Sequence, residues 1–159
     1  QGYDGSVGSN GYTGSIGYTG SASAQTVTTW IPTLAATGGG TFTYSSQVGN
    51  YIKSGRSVTC YFTITITGAS GASGTIAITG LPVTSLTSAG GAVGRGALDY
   101  YSFPAMPSHI TGIVPSNTAQ CDLYWHDRSG SVNTLALMTA ANLDSTATLQ
   151  GTVTYISAT

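Results

Sequence analysis

The chain has 159 residues, of which four are basic and five acidic, giving a formal net charge of −1. Its cations (Lys53, Arg56, Arg95 and Arg128) are too few and too scattered to neutralise a phosphate backbone, so nucleic acid is not an expected partner. An apolar content of 40% separates it from disordered chains, and no uncharged apolar run reaches the roughly 18 residues of a membrane-spanning helix.

From Gly2 to Ala22 the sequence runs in triplets, GYD, GSV, GSN, GYT, GSI, GYT and GSA, with glycine at Gly2, Gly5, Gly8, Gly11, Gly14, Gly17 and Gly20. A flexible Gly/Ser tail is the rival reading, but such a tail has no use for a fixed interval. Three polyproline-II-like chains wound about one axis do need it, because only hydrogen fits as the side chain there. Residues 1–22 are therefore predicted to form a short collagen-like triple-helical stalk whose axis these seven glycines line. The chain is accordingly predicted to be a homotrimer. Proline, which presets the required dihedral, is absent from the segment, so the stalk begins with a larger entropy cost. Seven triplets at about 3.1 Å per residue reach on the order of 60 Å, and so thin a stalk needs a trimeric clamp beside it. Gln1, standing where an initiator methionine is usual, points to a processed product or to part of a longer chain.

Residues 23–29 lose the glycine period and read as a junction; residues 30–159 read as an all-β head. In SVTCYFTITITG, Val58, Cys60, Phe62, Ile64 and Ile66 alternate with Thr59, Tyr61, Thr63, Thr65 and Thr67, the period of a half-buried strand. GTIAITG repeats it with Ile76 and Ile78 inward. AQCDLYW puts Cys121, Leu123 and Trp125 on one face, and ATLQGTVTYIS does the same with Leu149, Val153 and Tyr155. TFTYSS, HITGIV and VNTLALM are shorter candidates, and TAANLD has room for one helical turn. Turns are predicted at TGGG (37–40), KSGR (53–56), GASGASG (68–74), AGGAVGRG (89–96) and HDRSGS (126–131). About eight strands in a head of this size suggest a jelly-roll-like β-sandwich. The outward threonines keep β propensity without charge, which suits strands facing solvent or a sister subunit. Cys60 and Cys121 leave open one disulfide or two free buried thiols; their apolar neighbours favour the thiols.

WIPTL (30–34), GGGTFTYSSQVGNYIKSGRSV (38–58) and SGTIAITGLP (73–82) resemble the C-terminal β-sandwich module of bacteriophage fibre and appendage proteins. The likeness rests on Trp30 and Pro32, on Tyr44, Gln47, Gly49, Tyr51, Lys53 and Gly55, and on Gly80, Leu81 and Pro82. The stalk triplets resemble those of cyanobacterial phage structural proteins. The resemblance implies a trimeric virion component that is joined to other virion proteins through its N-terminal end. It covers the stalk and about the first half of the head. A head decoration or capsid-fibre protein, and a bacterial collagen-like surface or matrix protein, are the alternatives.

Chemistry for catalysis is scarce. Asp122, His126 and Ser129 have the residue types of a hydrolase triad, yet no nucleophile elbow frames the serine. Five aspartates and no glutamate offer little for glycoside cleavage, which needs two acids across a cleft. The expectation is a non-enzymatic protein without a cofactor or metal. Binding is better supplied: exposed rings flanked by hydroxyls and amides suit the apolar face of a sugar. Tyr100 and Tyr101 in ALDYYSF, with Tyr124 and Trp125 in DLYWHD, are the candidate contacts for a host surface glycan. The glycine-rich stretch before Asp99 is predicted to be a variable contact loop.

Overall fold

A computed structural model of the protein describes residues 1–5, 25–101, 109–127 and 134–159. The run from Ser57 to Ser70 forms a central strand, with Val58, Cys60, Phe62, Ile64 and Ile66 buried and the threonines on the opposite face. In chain order the strands are β1 (Val27–Trp30), β2 (Thr33–Ala36), β3 (Thr41–Ser54), β4 (Ser57–Ser70), β5 (Ile76–Thr79), β6 (Ala92–Tyr101), β7 (Ile110–Pro115), β8 (Gln120–Asp127), β9 (Thr134–Leu137) and β10 (Thr148–Ile156). One 3-10 turn, Ala140–Asn142, falls where TAANLD suggested it.

The all-β expectation holds. Among the described residues all pairings are antiparallel and the ladder is one continuous path, β1-β3-β4-β10-β6-β7-β8-β5-β2, with β9 beside β8. Its two edges, β1 and β2, are consecutive in the chain and separated only by Ile31 and Pro32. Edges joined by two residues cannot stand far apart, so the sheet curls until they meet and encloses one apolar face, as in a sandwich. Leu34, Ile64, Ile78, Ile110, Leu123, Met138, Leu149 and Val153 fill that interior. Pro32, which lacks an N–H, is buried at the corner between the two edge strands, where no ladder bond is asked of it.

Side chains close the seam that the backbone leaves open. The Leu34 N–H donates to the Tyr44 hydroxyl at 2.9 Å, and that hydroxyl donates to the Leu34 carbonyl at 3.3 Å. Gln47 Nε2 donates to the Pro32 carbonyl at 2.9 Å. Thus β3 reaches β2 through Tyr44 and Gln47 while it pairs with β1 through Gly49–Ile52. A second tyrosine does the same deeper in: the Tyr155 hydroxyl donates to the Val83 carbonyl at 2.8 Å and accepts the Val83 N–H at 3.3 Å. Gly49 lies opposite Trp30, whose ring meets Phe62 edge-on at 6.3 Å. Gly55, at φ 57°, makes the tight turn from β3 to β4. Most residues that carry the phage-appendage resemblance are therefore engaged in closing and bending the sheet.

Several elements differ from the sequence reading. The predicted turn AGGAVGRG is largely strand, because β6 begins at Ala92, and the contact loop expected before Asp99 is not a loop. Only Gly91 of its glycines has positive φ. Gly94 and Gly96 are instead required by close packing against Tyr155 and Val153. The strand begun by TFTYSS continues through the polar run to Ser54, β4 takes in Gly68–Ser70 of the predicted GASGASG turn, and β1 starts inside the predicted junction. Of the axial glycines, Gly2 and Gly5 lie in the exposed irregular segment 1–5. Gly8, Gly11, Gly14, Gly17 and Gly20 lie outside the described residues, as do Phe103, Arg128 and Ser129. No helix among the described residues is long and apolar enough to cross a membrane.

Candidate functional site

Antiparallel register decides which of the proposed contact residues can meet. Leu98 on β6, Ile110 on β7 and Trp125 on β8 stand in one row, so Tyr100, Tyr101, Tyr124 and Trp125 all fall near one end of the sheet, on strands separated by β7. Tyr100 pairs with Leu149, is half-buried and packs against the core. Tyr101 pairs with Thr148. Trp125 shares the inward phase of Cys121 and Leu123 but is only half-buried, being near the strand end. Tyr124, opposite Thr111 and Leu137, is on the outer phase. Tyr100 and Trp125 thus look inward and Tyr124 outward, so the aromatic residues rim this end rather than tile one flat platform. The His109 and His126 rings join the rim, 5.6 Å apart, and the His126 N–H donates to the His109 carbonyl at 3.0 Å. Leu135 and Leu137 of β9 lie exposed beside them.

A second surface was not singled out from sequence. On the outer face, Val48, Thr63, Gln150 and Asp99 form one row across β3, β4, β10 and β6, and Asn50, Tyr61, Thr152 and Ala97 form the next. Between the rows a groove of about 290 Å³ runs over the backbone of the registered pair Phe62–Gly151. Elsewhere on this face threonine hydroxyls bond one another across strands: Thr59 with Thr154, Thr65 with Thr148 and Thr67 with Thr43, each at 3.1 Å. Tyr61, 46% exposed, is the one aromatic in the threonine row of β4. That one ring in a phase otherwise made of small hydroxyl residues was its only signal in the sequence.

The carboxylates near the sheet surface make local hydrogen bonds. Half-buried Asp122 accepts one from Gln120 Nε2 at 2.8 Å, and exposed Asp144 accepts from the Ser145 N–H at 2.6 Å. Among the described residues no group of three or more His, Cys, Asp or Glu is placed to hold a metal ion. Cys60 and Cys121 are free and buried. Burial pushes the Cys60 thiol from 9.0 up to about 12 despite a hydrogen bond with Tyr155. Cys121 is raised by burial, reinforced by the Asp122 carboxylate and by Cys60. Thiolate is the reactive form, so neither cysteine is expected to react with iodoacetamide at pH 8 until the chain is unfolded in urea. Burial also raises Tyr44 and Tyr155. Groups that are neutral when protonated, and whose folded pKa exceeds the unfolded one, contribute full stability below the unfolded value. Here that contribution is lost as pH rises from 9 through about 12, so the urea midpoint is expected to fall steadily above pH 9. A midpoint flat to pH 11, or rapid labelling of the folded chain, contradicts this burial.

No family model and no curated protein sequence matches the chain. Among solved structures, the crystal structure of the Dettilon tailspike protein (gp208) matches 83% of this chain with a TM-score of 0.69 and 18% sequence identity. The match occupies 24% of that chain. The likeness is one of fold, and this chain spans about a quarter of the tailspike's length.

Proposed function

We propose that this chain is a non-enzymatic structural component of a bacteriophage virion: a homotrimeric fibre or tail appendage whose β head contacts host surface glycans. The observation that carries the reading is the shared fold, since 83% of this chain corresponds to a part of a tailspike polypeptide. The nearly uncharged composition supports it, because equivalent charges on three copies would repel near a common axis. The glycine triplets supply the stalk, the head fastens its three strands in register, and the N-terminal end meets other virion proteins. Tyr100, Tyr124 and Trp125, each half-buried at one end of the sheet, are the candidate contacts for that glycan.

Light scattering on the purified chain is expected to give the mass of three copies, against 16.0 kDa for one. Replacing Gly11 with Ala is expected to lower the melting of the polyproline-II circular dichroism signal while leaving the β signal intact, because the axis has no room for a methyl group. A monomer, or a stalk signal indifferent to Gly11→Ala, overturns the trimeric stalk. Antibody labelling of intact particles in electron micrographs tests the location. Label on the tail supports the appendage reading; label on the capsid shell, or on uninfected bacteria, overturns it.

A further inference from the structure

We infer that the groove between Tyr61 and Asp99, on the outer face of the sheet, is a binding site for a neutral saccharide. It shares with the reading above the expectation of a glycan ligand, but moves the contact from the aromatic rim to the middle of the sheet. The argument starts from what a pyranose offers: one face of C–H groups, which packs on an aromatic ring, and a girdle of hydroxyls that both donate and accept. A matching site needs one accessible ring beside planar groups able to bond adjacent hydroxyls in pairs.

The two registered rows assemble that set from four strands. Tyr61 is exposed at 46% and forms one side. The Asp99 carboxylate offers acceptors only, whereas the Asn50 and Gln150 amides offer both donors and acceptors, as do the Thr63 and Thr152 hydroxyls. Three interstrand spacings of about 4.8 Å make the groove about 14 Å long, the scale of a disaccharide. Its volume of about 290 Å³ lies at the small end of ligand pockets. The contrast with the rest of the face is informative: there threonines bond one another across the strands, while Asn50, Thr63, Asp99, Gln150 and Thr152 line the groove. The single charge, Asp99, is negative, which disfavours sialylated and uronate-bearing sugars and favours neutral ones.

The test titrates the 159-residue chain, in its native oligomeric state, with lactose, maltose, cellobiose, N,N′-diacetylchitobiose and, as an anionic control, 3′-sialyllactose, followed by amide chemical shifts. At least one neutral disaccharide is expected to shift the amides of Asn50, Thr63 and Gln150, and 3′-sialyllactose to shift none of them. Tyr61→Ala and Asp99→Ala are each expected to weaken that binding by about tenfold or more, with Tyr61→Phe retaining most of it. Circular dichroism and melting of each variant verify that the fold persists. Shifts confined to Tyr124, Trp125 and His126 overturn this site and leave the rim reading standing. Binding unchanged in Tyr61→Ala overturns the site as well. Failure of all the neutral sugars to bind anywhere removes both.

Discussion

Trp30→Ala is expected to cost about 3–5 kcal/mol of folding stability, the range for emptying a large aromatic site in a core. Trp30 is the last residue of the edge strand β1, buried, edge-on to Phe62 and directly opposite Gly49. A Cβ on Gly49 would lie 2.6 Å from Trp30 Nε1 and 2.8 Å from Cδ1, so Gly49→Ala pushes on the same ring from below. That overpacking costs about 1–3 kcal/mol. The two changes share one space: with the indole gone, the alanine methyl has somewhere to go. The double variant is therefore expected to cost clearly less than the sum of the single ones in urea unfolding. Additivity within about 0.5 kcal/mol shows instead that Gly49 is not there for Trp30. Trp30→Phe discriminates further. Trp30 Nε1 is buried without a hydrogen-bond partner among the described residues, and such a group costs about 1–3 kcal/mol. Trp30→Phe loses contact area but removes that penalty, so it is expected to be far milder than Trp30→Ala.

This corner also illustrates what could be read without coordinates. Trp30, Pro32, Tyr44, Gln47 and Gly49 stood out as a pattern, but their spacing does not say that a tyrosine hydroxyl and a glutamine amide bridge two sheet edges. The strands β4, β5 and β10 were legible because each has one dry face and one hydroxyl-bearing face, and alternation is what burial on one side imprints. The second half of β3 was not, since Gln47 reaches the seam and Gly49 yields to an indole, and both interrupt the period. The groove was invisible for another reason. Asn50, Tyr61, Asp99 and Gln150 come from four strands and become neighbours only through a pairing order that no local pattern encodes. By contrast, Tyr124 and Trp125 caught attention merely because they are adjacent in sequence, and alternation then sends them to opposite faces.

Gly96→Ala is the other change expected to be severe, at or above the upper end of the about 1–3 kcal/mol typical of overpacking. Glycine serves two unrelated needs, positive φ and close approach, and a sequence shows only the glycine. In AGGAVGRG the first need is met by Gly91, at φ 83° with nothing within 4 Å of its would-be Cβ. Gly96 is the opposite case. Its φ is ordinary, but a Cβ there would overlap the Thr152 carbonyl oxygen and lie 2.6 Å from Val153 Cγ2 and 2.8 Å from Val153 Cα. Two of those three atoms are backbone of the neighbouring strand, so no rotamer change relieves the clash. Gly91→Ala should therefore cost only the left-handed penalty of about 1–2 kcal/mol, less than Gly96→Ala. The reverse order, measured by urea unfolding, would return this stretch to the turn that its composition suggests. The consequence extends beyond stability. The strand β6 pairs with β10 on one side and β7 on the other, and it carries Asp99 opposite Gln150. A methyl group at Gly96 forces β6 away from β10 and so widens the row that places Asp99 across the groove from Tyr61. A Gly96→Ala chain that still folds is therefore expected to lose the neutral disaccharide while keeping Tyr61 intact.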